Sequence, residues 1–448
     1  MVKRRLSQFS PSKFIFLSIF FTILIGTLLL ALPMSRTQPV AFLDLFFTAT
    51  SATCVTGLFA TPMSSFTTFG HTVILGLIQV GGLGLITLTL FVLYLFMNLG
   101  LATQLMAGKL LDMESWTSVK KLLYFIIGFT LFCEVSGALV MFSAFRHLYD
   151  TPYAWFLSFF YSISSFCSAG MPLLPDNMEA YQANYTILSV MTILMFLGGL
   201  GFVTLFEIKD YFFSRVNTKR HIFSLHSRIN LSVTAITIAT CAALICFLEW
   251  NNAFSGMSPS LKTVTTLFHA LSFRSTGWAS VPIFSLQRAT IFLMMVSTFI
   301  GASPGSTGSG IKMVALAIYL ATIKSAIFGQ SYVNIKGRMI AREQINQVFS
   351  IVSLSIIWII LCSFALLITE QGWHLFQMLF EVVSAFATLG ISLSAQTMSP
   401  FGKILIIVTM LIGRIGSLTL VWALRAMTLR KKAGAVEAQY PVERVILS

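Results

Sequence analysis

The sequence predicts an all-α integral membrane protein built from four helix, re-entrant helix, helix (M1-P-M2) repeats around one pseudo-fourfold pore, with eight transmembrane helices. Three observations carry this. The 448 residues are 56% hydrophobic and 10% charged, where a soluble domain carries about 25% charged residues. Four Ser/Ala/Thr-rich stretches each end in one glycine, at Gly57, Gly170, Gly277 and Gly390, spaced 113, 107 and 113 residues apart. A second landmark keeps the same period: Gly-Gly-Leu-Gly from Gly81, Gly-Gly-Leu-Gly from Gly198, Gly-Ala-Ser-Pro-Gly from Gly301 and Gly-Arg-Ile-Gly from Gly413. Fourfold repetition in a membrane chain implies four similar units around a common axis, and such an arrangement leaves a pore.

Spanning the hydrocarbon core takes about 20 apolar residues. Eight stretches qualify, at roughly 14–33, 72–98, 121–145, 184–206, 229–249, 287–325, 347–369 and 401–424. Within each pair lies a segment too short to span, at about 41–53, 153–166, 262–273 and 374–387. These read as re-entrant helices, whose backbone ends are tolerated at membrane depth only where protein or water surrounds them. The first apolar stretch is too long for a signal-peptide core and lacks a small-x-small cleavage site, so it reads as a helix. The repeats divide the chain at 1–110, 111–222, 223–343 and 344–430, leaving a tail of residues 431–448.

The net charge of +14 comes from 29 basic against 15 acidic residues. Basic residues gather at the N-terminus (Lys3, Arg4, Arg5, Lys13), between repeats (Lys120, Lys209, Arg228, Lys324, Lys336, Arg342) and in the C-terminal tail, while loops inside the repeats carry Asp150, Asp176, Glu179, Glu249 and Glu370. This asymmetry puts both termini in the cytoplasm and the glycine stretches near the outer face. It reads as topology and lipid contact, and nucleic acid is not an expected partner. The six cysteines lack Cys-x-x-Cys spacing and read as reduced packing residues.

Each glycine stretch reads as an extended strand rising from the carbonyl end of its re-entrant helix, an end whose partial negative charge favours a cation. The ion-binding candidates are Thr53, Cys54, Val55, Thr56 and Gly57; Cys167, Ser168, Ala169 and Gly170; Arg274, Ser275, Thr276 and Gly277; and Ala387, Thr388, Leu389 and Gly390. Four such strands can ring an ion with carbonyl oxygens, and glycine supplies the positive φ that turns them inward. The plainer reading, four helix-terminating glycines, does not explain their register. Arg274 breaks the pattern in one stretch and is expected to point away from the axis, toward an acid such as Glu381.

Two features mark the inner end. Pro304 and four glycines over 301–310 forbid a continuous third inner helix. Ser303, Pro304, Gly305, Ser306, Thr307, Gly308, Ser309 and Gly310 therefore read as a flexible loop across the pore, followed by the intramembrane cation Lys312. Arg414 takes the place held by Gly82, Gly199 and Ala302, and at that depth needs water or a partner. It reads as an electrostatic barrier below the filter, with a structural salt bridge as the alternative. The run Gly-Ser-Thr-Gly-Ser-Gly-Ile-Lys lacks the Gly-Lys-Ser/Thr of a phosphate loop.

These residues resemble the Trk/Ktr/HKT superfamily of potassium transporters, most closely the membrane subunit of bacterial Ktr systems, over essentially the whole chain. The Gly-Ser-rich break before Ile311-Lys312, Thr53-Cys54-Val55-Thr56-Gly57 and Gly-Arg-Ile-Gly at Gly413 carry the resemblance. It implies potassium uptake across a bacterial plasma membrane, with sodium dependence, filter glycines at Gly57, Gly170, Gly277 and Gly390, and an intramembrane gating loop at 303–310 acting with Arg414. It also implies a homodimer on a cytoplasmic ring of RCK/KTN-type nucleotide-binding subunits, so nucleotide would act only through that partner and this chain carries no cofactor. The basic loops and the tail are the expected docking surfaces. Cys167-Ser168-Ala169-Gly170 departs from the Asn-Asn-Ala-Gly common in the second filter, and no stretch has the full Thr-Val-Gly-Tyr-Gly of potassium channels, so fewer carbonyl rings are expected. A secondary carrier for another monovalent cation or small solute is the alternative; four same-direction repeats argue against its usual inverted halves. An enzyme is not expected, because the six histidines are scattered and no His-Glu-x-x-His occurs.

Overall fold

The computed structural model describes residues 11–83, 116–174, 177–216, 223–393 and 397–415. Expected continuations over 84–98 and 416–424, the cluster Lys3, Arg4 and Arg5, and the tail 431–448 lie outside them. The chain runs α1 (Pro11–Ala31), α2 (Phe42–Cys54), α3 (Thr68–Gly82), α4 (Trp116–Phe145), α5 (Thr151–Phe166), α6 (Tyr185–Gly199), α7 (Phe202–Val216), α8 (Leu225–Glu249), α9 (Pro259–Ser275), α10 (Arg288–Ile300), α11 (Met313–Ile327), a small hairpin of β1 (Asn334–Ile335) and β2 (Arg338–Met339), α12 (Arg342–Thr369), α13 (Leu375–Ala387) and α14 (Pro400–Ile415).

Length and apolarity by themselves mark three helices as able to cross a membrane, at Lys120–Phe145, Leu225–Glu249 and Arg342–Thr369, and a fourth if α6 and α7 count as one bent span. Phe132, Ile236, Phe247 and Phe364 stand exposed on the three long helices. An aqueous surface would penalise such apolar residues and a lipid surface favours them.

The short helices are built differently. Asp150 precedes α5 with proline in its first turn, and the Ser258 hydroxyl accepts from Leu261 N to start α9, also with proline in its first turn. His374 and Gln377 close a reciprocal capping box on α13. Some of the buried hydroxyls on the short helices bond back one turn, as Thr48 to the Asp44 carbonyl and Thr266 to the Lys262 carbonyl, each at 2.7–2.8 Å. Those side chains sit in an apolar interior with their hydrogen bonds made, whereas Ser51, Thr53, Ser164 and Ser165, near the helix ends, are buried without one among the described residues.

Packing closes these elements on themselves. With the helices taken as the groups α1–α3, α4–α7, α8–α11 and α12–α14, α3 packs on α5, α6 on α9, α10 on α13, and α14 on α2, so the helix after each short helix touches the next group's short helix. The last contact is sealed by Phe47 and Cys54 against Val382, Phe386, Ile406 and Met410. An ion pair from Lys403 Nζ to Asp44 Oδ1, 2.6 Å, joins the same two ends of the chain.

One expected element needs correction. The inner stretch at 184–206 does not form a continuous helix: α6 and α7 meet at Leu200–Gly201 with a bend of 97°. Gly201 has φ +84°, and a Cβ there would press on the Pro304 carbonyl. The break exists because another segment of chain occupies the space a straight helix would take.

Candidate functional site

The four glycine stretches meet in a ring. A Cβ placed on Gly57 would overlap the Ala169 carbonyl; on Gly170, that of Thr276; on Gly277, that of Leu389; and on Gly390, that of Thr56. Each glycine therefore faces the carbonyl preceding the next glycine, in the cyclic order 57, 170, 277, 390. All four have φ between +60° and +93°, so the lack of a side chain serves both backbone angle and close approach.

Local structure explains how each strand leaves its helix. Val55, Ser168 and Thr388, each two residues before the glycine, adopt left-handed conformations with φ of 56°, 61° and 54°. The turn lets Thr56 N, Ala169 N and Leu389 N donate to the carbonyls of Ser51, Ser164 and Ser384, each at 2.8 Å. The third stretch is different. Helix α9 runs on to Ser275, and both Thr276 N and Gly277 N donate to Ser272 O, at 2.9 and 3.2 Å. Cys54, Cys167 and Ala387 lie buried at the ends of the other three helices.

The second landmark seats the ring. Gly81, Gly198 and Gly413 abut the carbonyls of Thr53, Phe166 and Phe386, each four residues before a ring glycine. In the third group the matching carbonyl, of Phe273, accepts instead from Thr298 Oγ1 at 2.6 Å.

Below the ring lies the broken helix. α10 stops at Ile300 and α11 begins at Met313, with Gly301–Lys312 irregular between them. Its backbone is tied down on the second group: Ser303 N donates to Gly199 O at 3.2 Å, Thr307 N to Gly198 O at 3.2 Å, and Phe202 N to Gly305 O at 2.9 Å. Ser168 and Thr307 share a hydroxyl hydrogen bond of 3.0 Å, linking the loop directly to the second glycine stretch. Arg414 donates to the Thr307 carbonyl and to the Gly81 carbonyl. Lys312 Nζ donates to the Gly308 carbonyl, from a backbone with φ +83° that a lysine rarely adopts.

A family model described as a cation transport protein, TrkH, matches residues 4–431. The chain belongs to the TrkH family. It is 35% identical to the Ktr system potassium uptake protein B of Bacillus subtilis over 93% of each chain. It is 30% identical to the potassium/sodium uptake protein NtpJ of Enterococcus hirae over 100% of this chain and 99% of that one. The crystal structure of the potassium transporter TrkH from Vibrio parahaemolyticus superposes with a TM-score of 0.70 at 20% identity, covering 93% of this chain and 86% of that one; the likeness shows a TrkH-like fold. Membership in the TrkH family places the chain among ion transporters and not among enzymes.

Within this TrkH-family fold, Arg274 departs from expectation. It does not reach for Glu381. Its Nη2 donates to Gly199 O at 3.3 Å, the carbonyl that also receives Ser303 N, while Glu381 accepts from the Ser392 hydroxyl. The α9 helix, carried one to two residues further than its counterparts, aims position 274 at α6. Among the described residues Arg414 does not form the alternative salt bridge: its hydrogen-bond partners are backbone carbonyls, not an acid.

Several residues emerge only from the fold. Glu134, buried in mid-α4, accepts from Gln79 Nε2 at 3.1 Å and from the Cys167 thiol at 3.8 Å, placing an acid directly behind the second stretch. Glu249 and Glu370 are topology markers in the sequence; in the structure they are buried and bond Gln287 N and Ser399 N, at the starts of α10 and α14. Asn230 Nδ2 holds the α6–α7 break through Leu200 O at 2.8 Å and Thr204 Oγ1 at 2.9 Å. Lone polar residues in apolar helices are the available signal for Glu134 and Asn230, and sequence does not say what they touch.

Proposed function

We propose that this chain takes up potassium across the plasma membrane through the ring of glycine stretches, which acts as the selectivity filter. The observation that carries the reading is the closed cyclic contact of Gly57, Gly170, Gly277 and Gly390. Backbone oxygens gathered at such a ring replace the hydration shell of a monovalent cation, and the carbonyl ends of α2, α5, α9 and α13 add negative potential there. Thr53–Gly57, Cys167–Gly170, Arg274–Gly277 and Ala387–Gly390 form the filter. The named activities of the Bacillus and Enterococcus relatives support potassium as substrate, with sodium as co-ion or activator.

Ser303–Gly310, Lys312 and Arg414 form the gate. Arg414 bonds the loop to the first group while Gly198 and Gly199 bond it to the second, so the loop and its charges obstruct the path below the filter. A membrane potential supplies about 2.3 kcal/mol per 100 mV to each entering cation, enough to drive uptake once the loop moves. The positive φ of Lys312 supports movement, since such strain costs of order 1–3 kcal/mol and persists where it serves a switch.

Four M1-P-M2 repeats with eight spans, divided at 1–110, 111–222, 223–343 and 344–430 with tail 431–448, both termini cytoplasmic in a bacterial plasma membrane, complete the reading. The chain works as a homodimer on a cytoplasmic RCK/KTN-type ring that supplies nucleotide control.

Rubidium and potassium uptake by proteoliposomes containing the purified chain, with and without sodium and under imposed negative potential, tests the reading. Uptake that follows the potential supports it. Absence of flux, persisting after the regulatory ring is added, overturns it.

A further inference from the structure

We propose that Asn177, which follows the second glycine stretch, is a specificity-determining residue that fixes the outer carbonyl of the third. The inference rests on the filter reading above. Asn177 Nδ2 donates to Gly277 O at 3.3 Å, and its Oδ1 accepts from Ala279 N at 3.3 Å. The next residue continues the pairing, with Met178 N donating to Ala279 O at 3.0 Å. Three bonds thus strap one group's exit loop across the neighbouring group's filter strand.

The strap answers a local deficiency. The first, second and fourth strands carry a left-handed turn two residues before the glycine; the third has none and leaves its helix one residue later. Its path from Gly277 outward is held from its sides: Trp278 O accepts from Ser272 Oγ at 2.6 Å, and Ser280 Oγ bonds His269 Nε2 at 3.1 Å. Asn177 itself has φ +53°, a conformation asparagine tolerates better than most residues. Its position is firm because Met178 is buried and Tyr181, just beyond, shares a 2.8 Å hydroxyl bond with Tyr149.

Among the described residues, the Gly277 carbonyl is the one ring-glycine carbonyl bonded by a side chain. An amide donor occupies part of its acceptor capacity and sets its direction. Among the described residues, the outer ring then comprises three carbonyls without a side-chain donor and one of weaker field. Selectivity depends on the number and field strength of coordinating carbonyls, and a weaker field disfavours the smaller, more strongly hydrated sodium relative to potassium. Asn177 therefore tilts the ring toward potassium.

The test compares potassium-to-sodium flux ratios in proteoliposomes for the whole chain, Asn177→Gly and Asn177→Asp. Glycine keeps the left-handed backbone and drops both side-chain bonds; aspartate keeps the shape and the Ala279 bond but loses the donor to Gly277. The ratio is expected to fall about tenfold in each, equivalent to about 1.4 kcal/mol of discrimination, with thermal stability of the detergent-solubilised protein unchanged in Asn177→Asp. A ratio within twofold of the parent in either folded variant, or potassium and sodium fluxes falling together, overturns the assignment and leaves Asn177 a structural strap. Failure of the parent chain to carry potassium or rubidium at all, with its regulatory ring present, is the separate outcome that sinks the filter reading itself.

Discussion

The third group and the other three solve the same problem with different local chemistry. Ser51, Ser164 and Ser384 lie six residues before their glycines, and each strand turns through a left-handed residue; Ser272 lies five before Gly277, and no such turn is present. The later end of α9, one to two residues nearer its glycine, carries Arg274 across to Gly199, the carbonyl on which the loop at 303–310 is seated. The third group is also the one whose inner helix breaks for twelve residues, Gly301 to Lys312. The ring glycines behave alike in all four groups, and the departures from symmetry lie below and beside them. On the function proposed above, the common backbone geometry would bind the ion and the one divergent group would supply what regulates it.

Experiments that make the third group resemble the others, or disable it, separate these roles. The largest effect is expected at the ring. Gly277→Ser puts a Cβ onto the Leu389 carbonyl from a φ of +73°, and selective rubidium uptake should fall by at least about a hundredfold, more than ~2.7 kcal/mol in barrier or stability; equal loss from Gly76→Ser, where a Cβ meets open space, would contradict the special role of the ring. Next comes the loop. Arg414→Ala removes both carbonyl bonds and a charge, and potassium flux should rise about tenfold, ~1.4 kcal/mol, with the potassium-to-sodium ratio kept; lower flux in a folded Arg414→Ala protein would mean that the arginine is structural.

Arg274→Met then tests the link between stretch and loop. It leaves Gly199 O bonded by Ser303 N alone, and flux should rise about threefold, near 0.7 kcal/mol, from one lost hydrogen bond; an unchanged conductance would place the loop's seat entirely in backbone bonds. The smallest effect on transport belongs outside the divergent group. Lys403→Met leaves the Asp44 carboxylate, 18% exposed, without its cation; flux and selectivity should stay unchanged while stability falls by about 3 kcal/mol, as read by the flux ratio and thermal unfolding together.

Much of this was legible in the chain itself. Four glycines at near-constant spacing indicated that four strands would meet, because no single helix cap requires that register. Pro304 with its flanking glycines marked the break between Ile300 and Met313, since neither residue type sustains a helix. The break at Gly201 was not legible. Gly-Gly-Leu-Gly occurs from Gly81 and from Gly198, and nothing in that run of residues announces that Gly201 meets Pro304 in space. The sequence marks Arg274 as anomalous but points to Glu381 where the structure has Gly199 O, because the direction of the side chain follows from where α9 ends. Glu249 and Glu370 were read as loop acids; their burial against the starts of α10 and α14 requires two distant segments to be brought together.

The sequence by itself determined the quantities that are local and periodic: apolar runs long enough for lipid, hydroxyl-rich short helices, glycines where a Cβ cannot stand, and a proline where a helix cannot continue. Those follow from one residue's sterics or solvation and need no neighbour. Only the tertiary structure decided the pairings. Asn177 on Gly277, Arg274 and Ser303 on one carbonyl of Gly199, Arg414 between Thr307 and Gly81, and Glu134 behind Cys167 each join groups far apart in the chain. Their partners are mostly backbone carbonyls, which every residue possesses, so side-chain identity could not single out which carbonyl each donor would meet.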